Sequence, residues 1–198
     1  MKIAILGGSF DPPHKGHIAI ARYLLKFNNF NQVWLMPCYS HPFVKNLSVP
    51  SKRLAMTKYL ENDNIKVSDF EIGKKTISYS INALKYLTNK YPKNKFSWVI
   101  GEDQVKDFTK WKGWKEIINK FNLIIIPRSN FKTAEKGLEN IVKQSVSSKN
   151  IILIDREKFS PIHISSTLIR KKIKEKIPIS DFVPKKIEKY ITERNLYQ

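Results

Sequence analysis

Residues 2–17 read KIAILGGSFDPPHKGH, an apolar run followed at once by a turn rich in glycine, proline and histidine. The run KIAIL (2–6) lacks polar alternation, which is typical of a strand buried on both faces of a parallel sheet. The turn holds three of the chain's seven glycines and two of its four histidines. An ordinary strand-to-helix connection needs only one glycine and a polar cap, so this turn is predicted to bind a ligand.

The residue types in the turn suit a phosphate group. Gly7 and Gly8 allow the backbone to approach a ligand closely, and the two prolines fix the shape of the turn. The helix that is predicted from about Gly16 begins with free backbone N–H groups, which bind anions. His14 and His17 are three residues apart and face the same way. Two imidazoles beside a helix N-terminus can stabilise charge on a phosphoryl group.

Two common phosphate loops are excluded, because the positions of the glycines allow neither G-x-G-x-x-G nor G-x-x-x-x-G-K-[ST] anywhere in the chain. A standard dinucleotide-binding dehydrogenase and a P-loop NTPase are therefore not expected. One alternative is a zinc site in which the His-x-x-His pair is completed by Cys38, His41 or His163. Another is that either histidine only caps the helix or packs in the core.

Strand-like and helix-like segments alternate about six times along the chain. Strands are predicted at 2–6, 32–37, 65–72, 95–103, 122–128 and 150–155, and helices from about 16 and 51, at 77–91, in WKGWKEIINKF, and at 132–147, 164–176 and 183–196. This alternation predicts an α/β fold, a Rossmann-like doubly wound parallel sheet with helices on both faces. We expect a single domain over 1–198 with a small C-terminal helical part from about 164 to 198. Ligands in such sheets bind beyond the carboxyl ends of the strands.

Composition limits the class of protein. The formal net charge is +19, yet only six of the 36 basic residues are arginine, and the lysines are spread along the chain. This pattern favours compositional drift over specific nucleic-acid binding, although the positive field would attract small polyanions. The single cysteine, Cys38, cannot form an internal disulfide, and no apolar stretch approaches the roughly 20 residues that cross a bilayer. The sequence therefore predicts a soluble, cytoplasmic protein with no membrane partner.

A second motif, ISSTLIR, occupies residues 164–170. Its hydroxyl residues are typical of a helix N-terminus, where side-chain hydroxyls and backbone N–H groups can bind a triphosphate. Arg170 lies one helical turn further on, where its guanidinium can bind phosphate oxygens in a fork. Taken alone, the motif could equally be a well-capped surface helix with a basic face.

Together the two motifs resemble the signatures of the nucleotidyltransferases that carry an H-x-G-H motif, here His14-Lys15-Gly16-His17. Within that superfamily the chain is most similar to the bacterial nicotinate-nucleotide adenylyltransferases. The similarity extends over nearly the whole chain, through RLAMTKYL, KVSDFEI with ISYSINAL, VIGEDQVKDFTKWKGW, LIIIPR and YITERNLY.

The resemblance implies transfer of AMP from ATP to nicotinate mononucleotide, which gives nicotinate adenine dinucleotide and pyrophosphate in NAD biosynthesis, with Mg²⁺ accompanying ATP. It assigns catalysis to His14, His17 and Arg170. ATP would be bound by Gly8, Ser9, Phe10, His14, His17, Asp103, Ile164, Ser165, Ser166 and Arg170. The acceptor, a pyridine mononucleotide, would be bound by Lys45, His41 and Trp111. For Asp103 a plain helix cap is an alternative, and Trp114 is expected to pack in the core.

One segment departs from the family pattern. Where these enzymes commonly have a P-P-H-K loop after the second strand, this chain has SHPFVKN at 40–46. Nicotinamide mononucleotide and phosphopantetheine therefore remain alternative acceptors. A nucleic-acid-binding module and a catalytically silent protein on the same scaffold are alternatives of a different class, and a homo-oligomer is left open.

Overall fold

The computed structural model describes residues 1–27, 29–43, 46–127, 131–144, 148–155, 157, 159 and 163–198. Within them, six parallel strands form one sheet in the order β3-β2-β1-β4-β5-β6. The strands are β1 Lys2–Gly8, β2 Gln32–Pro37, β3 Ile65–Val67, β4 Lys95–Gly101, β5 Asn122–Ile126 and β6 Ile151–Leu153. The order reverses between β1 and β4, which is the topological switch point of a doubly wound sheet.

The helices of the described residues connect these strands. They are α1 Lys15–Phe27, α2 Pro50–Lys58, α3 Phe70–Lys74, α4 Ser80–Lys90, α5 Trp114–Lys120, α6 Phe131–Lys143, α7 Ser166–Lys174 and α8 Lys185–Glu193. A 3₁₀ helix, Glu102–Lys110, follows β4 directly, and a shorter one, Ser148–Asn150, precedes β6.

Each face of the sheet has its own hydrophobic core. Along β1, Ala4 and Leu6 belong to the cluster that contains buried residues of α1, α2, α7 and α8. Ile3 and Ile5, which point to the opposite face, belong to the cluster formed with α4, α5 and the 3₁₀ helix 102–110. This alternation along a fully buried strand places helices on both faces. The predicted Rossmann-like fold is confirmed.

One predicted strand is wrong over most of its length. Residues 65–72 were expected to alternate as a strand, but β3 ends at Val67 and Phe70–Lys74 form the short helix α3. Ser68 and Asp69 separate the two, and residues of these types compete with strand pairing because their side chains bond to nearby backbone. The Ser68 hydroxyl accepts a hydrogen bond from Phe70 N at 3.4 Å. Glu71 consequently lies buried on a helix, next to the site described below.

The C-terminal helices pack on the same face of the sheet as α1. Ile169 of α7 and Ile187 and Ile191 of α8 are buried in the cluster that contains Ala4 and Leu6. The backbone N–H of Lys15 donates to the carbonyl of Phe182 at 2.9 Å, which ties the start of α1 to this region. Among the described helices none is long and apolar enough to span a bilayer. The single-domain organisation stays a prediction.

Candidate active site

A cavity of about 410 Å³ opens where the sheet order reverses, beyond the carboxyl ends of β1 and β4. We call it the acceptor cavity because two of the predicted acceptor residues, His41 and Trp111, line it. Its walls are the segments 41–43, 78–80 and 110–112, together with Gly7, Gly8, Cys38, Glu71, Trp98 and Gln104. Its floor explains one of the glycines at the end of β1, since a Cβ at Gly7 would overlap the indole ring of Trp98. The first glycine of the turn thus allows a tryptophan to pack beneath the cavity.

Residues 7–17, which we call the phosphate turn, leave β1 beside this cavity. His14 is buried, and its ring stacks on the ring of His17 with centroids 3.8 Å apart. The backbone N–H of His14 donates to Nδ1 of His17 at 3.1 Å, and the ring of Phe10 lies 4.6 Å from that of His17. Because Nδ1 accepts a hydrogen bond, the neutral imidazole of His17 carries its proton on Nε2. The turn therefore fixes both the orientation and the tautomer of this histidine.

The second motif docks directly onto the phosphate turn. Ser165 is the N-cap of α7, as predicted, and its hydroxyl accepts from Leu168 N at 3.1 Å. The hydroxyl of Ser166 donates to the carbonyl of Pro12 at 2.8 Å, and Nη1 of Arg170 donates to the carbonyl of Asp11 at 2.6 Å. The two motifs, about 150 residues apart in the chain, therefore form one hydrogen-bonded unit.

The carboxylate of Asp11 joins the phosphate turn to two further segments. Asp11 is only 2% exposed. One of its oxygens accepts from the backbone N–H of Ser48 at 2.9 Å, and the other accepts from the hydroxyl of Tyr197 at 2.6 Å. A buried carboxylate needs such donors, because its desolvation is costly unless it is hydrogen-bonded. Asp11 thereby connects the phosphate turn to the loop after β2 and to the segment after α8.

A buried arginine on α2 fastens the loops around the site. Arg53 is fully buried and donates three hydrogen bonds to backbone carbonyls: those of Ser9 at 2.7 Å, Ser48 at 2.8 Å and Tyr39 at 2.9 Å. A guanidinium can bind several carbonyls at once because its donors form a rigid fork. It thereby connects the phosphate turn to both ends of the loop that follows β2.

Aromatic side chains form much of the wall of the acceptor cavity. Trp111 lines it and packs on Phe108 with ring centroids 5.3 Å apart. Trp114, which was expected to pack in the core, lies 6.4 Å from the Phe108 ring and does not line the cavity. His41 lines the cavity, burial lowers its pKa, and its Nδ1 accepts from Phe43 N at 3.1 Å. Lys45 lies outside the described residues.

The charged side chains that line the cavity are one acid, Glu71, and two bases, Lys110 and Lys112. Burial raises the pKa of Glu71 to about 7, although the hydroxyl of Ser78 donates to its carboxylate and opposes that shift. Lys110 is bound to Asp107 at 2.7 Å. The ammonium of Lys112 lies 4.8 Å above the ring of Tyr79, another wall residue. With the acid largely neutral below pH 7, the side chains facing the cavity carry a net positive charge.

Two further candidate residues, Ile164 and Asp103, do not line the acceptor cavity. Ile164 borders a small cleft of about 10 Å³ together with His14, Gly16 and Ile126. Asp103 is exposed on the 3₁₀ helix that begins after Gly101, and its neighbour Gln104, rather than Asp103, lines the acceptor cavity. Of the predicted acceptor residues that the structure describes, His41 and Trp111 both line the acceptor cavity, whereas of the predicted ATP residues only Gly8 does.

The comparison with known families agrees with this geometry. Residues 5–172 match the cytidylyltransferase-like family. A protein of Caldicellulosiruptor saccharolyticus named "probable nicotinate-nucleotide adenylyltransferase" is 36% identical, and the alignment covers 100% of each chain. A protein of the same name from Fusobacterium nucleatum is 38% identical, over 96% of this chain and 97% of the relative. The chain belongs to the nicotinate-nucleotide adenylyltransferase family. The predicted membership is confirmed.

Solved structures share the fold of this family member. The nicotinic acid mononucleotide adenylyltransferase of Plasmodium falciparum, complexed with NaAD, superposes with a TM-score of 0.78 at 24% identity, over 99% of this chain and 97% of that one. A structure from Vibrio parahaemolyticus superposes with a TM-score of 0.64 at 20% identity, over 99% and 94% of the two chains. The six-stranded architecture is therefore that of known adenylyltransferases.

Sequence reasoning missed several residues that shape the site. Arg53 and Tyr197 lie inside the stretches RLAMTKYL and YITERNLY, which carried the family resemblance without any role attached to them. A positive residue inside an amphipathic helix and a tyrosine near the chain end are ordinary in sequence. Glu71 was hidden by its assignment to a strand. Arg53 binds Ser9, 44 positions away, and Tyr197 binds Asp11, 186 positions away, so neither of these two has a local signal.

Proposed function

We propose that this protein transfers the adenylyl group of ATP to nicotinate mononucleotide, forming nicotinate adenine dinucleotide and pyrophosphate for NAD biosynthesis. The observation that carries this proposal is the docking of the ISSTLIR segment on the phosphate turn, through Ser166 and Arg170, beside an aromatic cavity at the switch point. The proposal treats residues 1–198 as one nucleotidyltransferase domain, because α7 and α8 complete both the core and the site.

The chemistry requires positioning more than proton transfer. An oxygen of the acceptor phosphate is already anionic at neutral pH, so it attacks the α-phosphorus of ATP without a general base. A bond forms between that oxygen and the α-phosphorus, and the bond from the α-phosphorus to the β-bridging oxygen breaks. The electron pair leaves on pyrophosphate. The protein must hold two polyanions in line and offset their repulsion.

His14 and His17 supply the stabilisation of the reacting phosphoryl group. Their rings stack, and the helix α1 begins between them at Lys15. The proton on Nε2 of His17 gives that nitrogen a hydrogen bond to donate to an equatorial oxygen of the pentacoordinate phosphorus. Donors that are fixed before the reaction begins stabilise the developing charge without the cost of reorganisation.

Ser165, Ser166 and Arg170 hold the β- and γ-phosphates that leave. A guanidinium has five N–H donors. Arg170 uses one nitrogen on the carbonyl of Asp11 and another on the hydroxyl of Thr167, at 2.6 and 3.3 Å. Its further donors can bind phosphate oxygens while these bonds hold the group in place. Arg170 would thus bind the leaving phosphates and also join α7 to the phosphate turn.

Magnesium would reach the site on the triphosphate. The carboxylate of Asp11 is the acid of the phosphate turn, and both of its oxygens are occupied by Ser48 and Tyr197. Among the described residues no group of three His, Cys, Asp or Glu side chains is arranged to hold a metal ion. With so few protein ligands among the described residues, the ion would be bound mainly by phosphate oxygens and water. Bound there, Mg²⁺ would neutralise charge on the leaving pyrophosphate.

The acceptor cavity suits an anionic pyridine. Trp111 offers a face on which the ring can stack, and His41 and Lys45 belong to the loop that would bind the mononucleotide phosphate. The side chain of Lys112 gives the cavity positive charge, and the raised pKa of Glu71 weakens the opposing carboxylate. These charges favour the carboxylate of nicotinate over the amide of nicotinamide.

The direct test is pyrophosphate release from ATP and Mg²⁺ with each acceptor in turn. Nicotinate mononucleotide should give the highest kcat/KM, and nicotinate adenine dinucleotide should be identified by mass. A preference for nicotinamide mononucleotide or phosphopantetheine would contradict the assigned acceptor. Silence with all three acceptors would contradict the activity itself. Omission of Mg²⁺ should abolish turnover.

A further inference from the structure

The end of the chain lies against the phosphate turn. Tyr197 is the penultimate residue, and its hydroxyl donates to the carboxylate of Asp11 at 2.6 Å across 186 positions of sequence. The preceding residue, Leu196, is buried, and its N–H donates to the carbonyl of Ile191 at 3.0 Å. The chain end is thus anchored on α8 and held in contact with the site.

The backbone of Tyr197 adopts a conformation that requires support. Its φ is 68°, in the left-handed region, and Asn195 two residues earlier has a φ of 47°. For a tyrosine this region is uncommon and costs free energy, so it persists only where contacts hold it. The bond to Asp11 is such a contact. Burial and the charge of Asp11 both raise the pKa of Tyr197, which keeps its hydroxyl protonated as a donor.

We propose that Tyr197 is a positioning residue for adenylyl transfer, holding through the Asp11 carboxylate the turn that carries His14 and His17. The inference rests on the proposed function. Three segments meet at Asp11: Ser48 and Tyr197 bind its carboxylate, and Arg170 binds its carbonyl. The same residue therefore sets the phosphate turn against both the loop after β2 and α7.

The consequence is a coupling between the chain end and the reacting groups. Pro12 and Pro13 stand between Asp11 and His14, and each fixes one backbone dihedral. A shift of the Asp11 side chain is therefore transmitted along a stiff turn to the histidines. Small misplacements of such groups reduce turnover strongly, because in-line attack tolerates little error.

The test compares Tyr197→Phe with Tyr190→Phe. Both variants remove one hydroxyl from a tyrosine of the C-terminal region, but Tyr190 packs on Tyr59 and Arg194 rather than on the phosphate turn. Tyr197→Phe should lower kcat by about tenfold while the KM values for both substrates rise by no more than about threefold. Tyr190→Phe should match the wild type. Thermal unfolding midpoints of all the variants establish that they are folded at the assay temperature.

A double-mutant cycle separates a positioning role from loss of stability. If Tyr197 acts through Asp11, adding Tyr197→Phe to Asp11→Asn should change kcat by less than about twofold, because the partner is already altered. Multiplied losses in the double variant would overturn the inference. A Tyr197→Phe enzyme with wild-type kcat and a lowered unfolding midpoint would do so as well.

The affinity for ATP, measured by calorimetry, provides a readout that does not depend on turnover. We expect Tyr197→Phe to bind Mg²⁺-ATP about threefold more weakly than the wild type, because the phosphate turn loses one of its supports. Unchanged affinity together with unchanged kcat would contradict the inference. Failure of the wild type to turn over any acceptor would contradict the proposed function instead, and the calorimetric comparison would still decide the role of Tyr197.

Discussion

The phosphate turn and the acceptor cavity lie side by side but are built differently. In the phosphate turn, charged and polar side chains bind backbone carbonyls: Arg53 binds Ser9, Arg170 binds Asp11 and Ser166 binds Pro12. The walls of the acceptor cavity include the aromatic rings of Phe43, Tyr79, Trp98 and Trp111, and Trp111 packs on Phe108 behind it. The first region is held by directional bonds and the second by packing.

This difference sets how each region tolerates substitution. A hydrogen-bonded turn depends on particular donors, since removing one leaves a buried acceptor unsatisfied. A packed wall accepts other side chains of similar volume at smaller cost. Residues 41–43 of the loop SHPFVKN, which departs from the family pattern, line the cavity, whereas GGSFDPPHKGH and ISSTLIR are joined by hydrogen bonds. Substitutions in the phosphate turn and in ISSTLIR should therefore reduce catalysis most. Substitutions in the walls of the acceptor cavity should alter the choice and affinity of the acceptor.

The largest effect is expected at His17. Replacement by alanine should lower kcat by roughly 10²–10³, because a fixed donor to the reacting phosphoryl group is lost. Steady-state pyrophosphate release with nicotinate mononucleotide measures this. The exposed His163, which precedes the ISSTLIR motif, is the matched control, and His163→Ala should retain the wild-type rate. Equal losses in the two variants would contradict the role of His17 and would revive a metal site that includes both.

Glu71, which lines the acceptor cavity, should make the free energy of unfolding of the protein depend on pH. Its pKa is raised from 4.5 to about 7 in the folded protein, so the folded state binds the extra proton between these values. This proton stabilises the folded state relative to the unfolded state. The stabilisation is fully present below about pH 4.5 and is lost as the pH rises through 7. Relative to the wild type, Glu71→Gln should therefore gain up to about 3 kcal/mol between pH 5 and pH 8.

Urea unfolding at the two pH values, with the exposed Asp63→Asn as the control, measures this difference. A Glu71→Gln variant whose stability follows the wild type at both pH values would show that Glu71 is ionised throughout.

Trp111 should govern the affinity for the acceptor rather than the rate of transfer. Trp111→Ala should raise the KM for nicotinate mononucleotide by about tenfold, on the scale of one lost stacking contact, and leave kcat nearly unchanged. Trp111→Phe keeps an aromatic face and should lose less. If kcat fell instead and KM did not, Trp111 would belong with the phosphate turn, and the contrast between the two regions would be wrong.

The smallest effect is expected at Lys112. Lys112→Gln should lower kcat/KM for nicotinate mononucleotide by about fivefold and leave nicotinamide mononucleotide unaffected, as expected for a partly solvated charge pair. Lys110, which is bound to Asp107 at 2.7 Å, provides the control variant Lys110→Gln. A parallel loss with both acceptors would mean that Lys112 does not distinguish the ring substituents.

Much of the fold could be predicted from local patterns. The continuous apolar runs of β1, β2 and β5 are typical of strands in a parallel sheet that is covered on both faces. In α1 and α4 the apolar residues recur with the period of a helix. Where the pattern is short the prediction was wrong, as at α3, because a few alternating residues do not distinguish a strand from a short helix. The bounds of β6, which is shorter than predicted, reflect the same weakness.

The sequence by itself determined the two motifs, a helix N-terminus within Ser165 to Thr167, and the family, because these depend on neighbouring residues and on the chemistry of phosphate. The tertiary structure alone decided that Arg53, Glu71 and Tyr197 belong to the site. Asp11 and Tyr197 are 186 positions apart, and nothing in the local pattern around either one indicates the other. Long-range hydrogen bonds depend on how the elements pack, and packing brings together residues whose sequence positions carry no record of the contact.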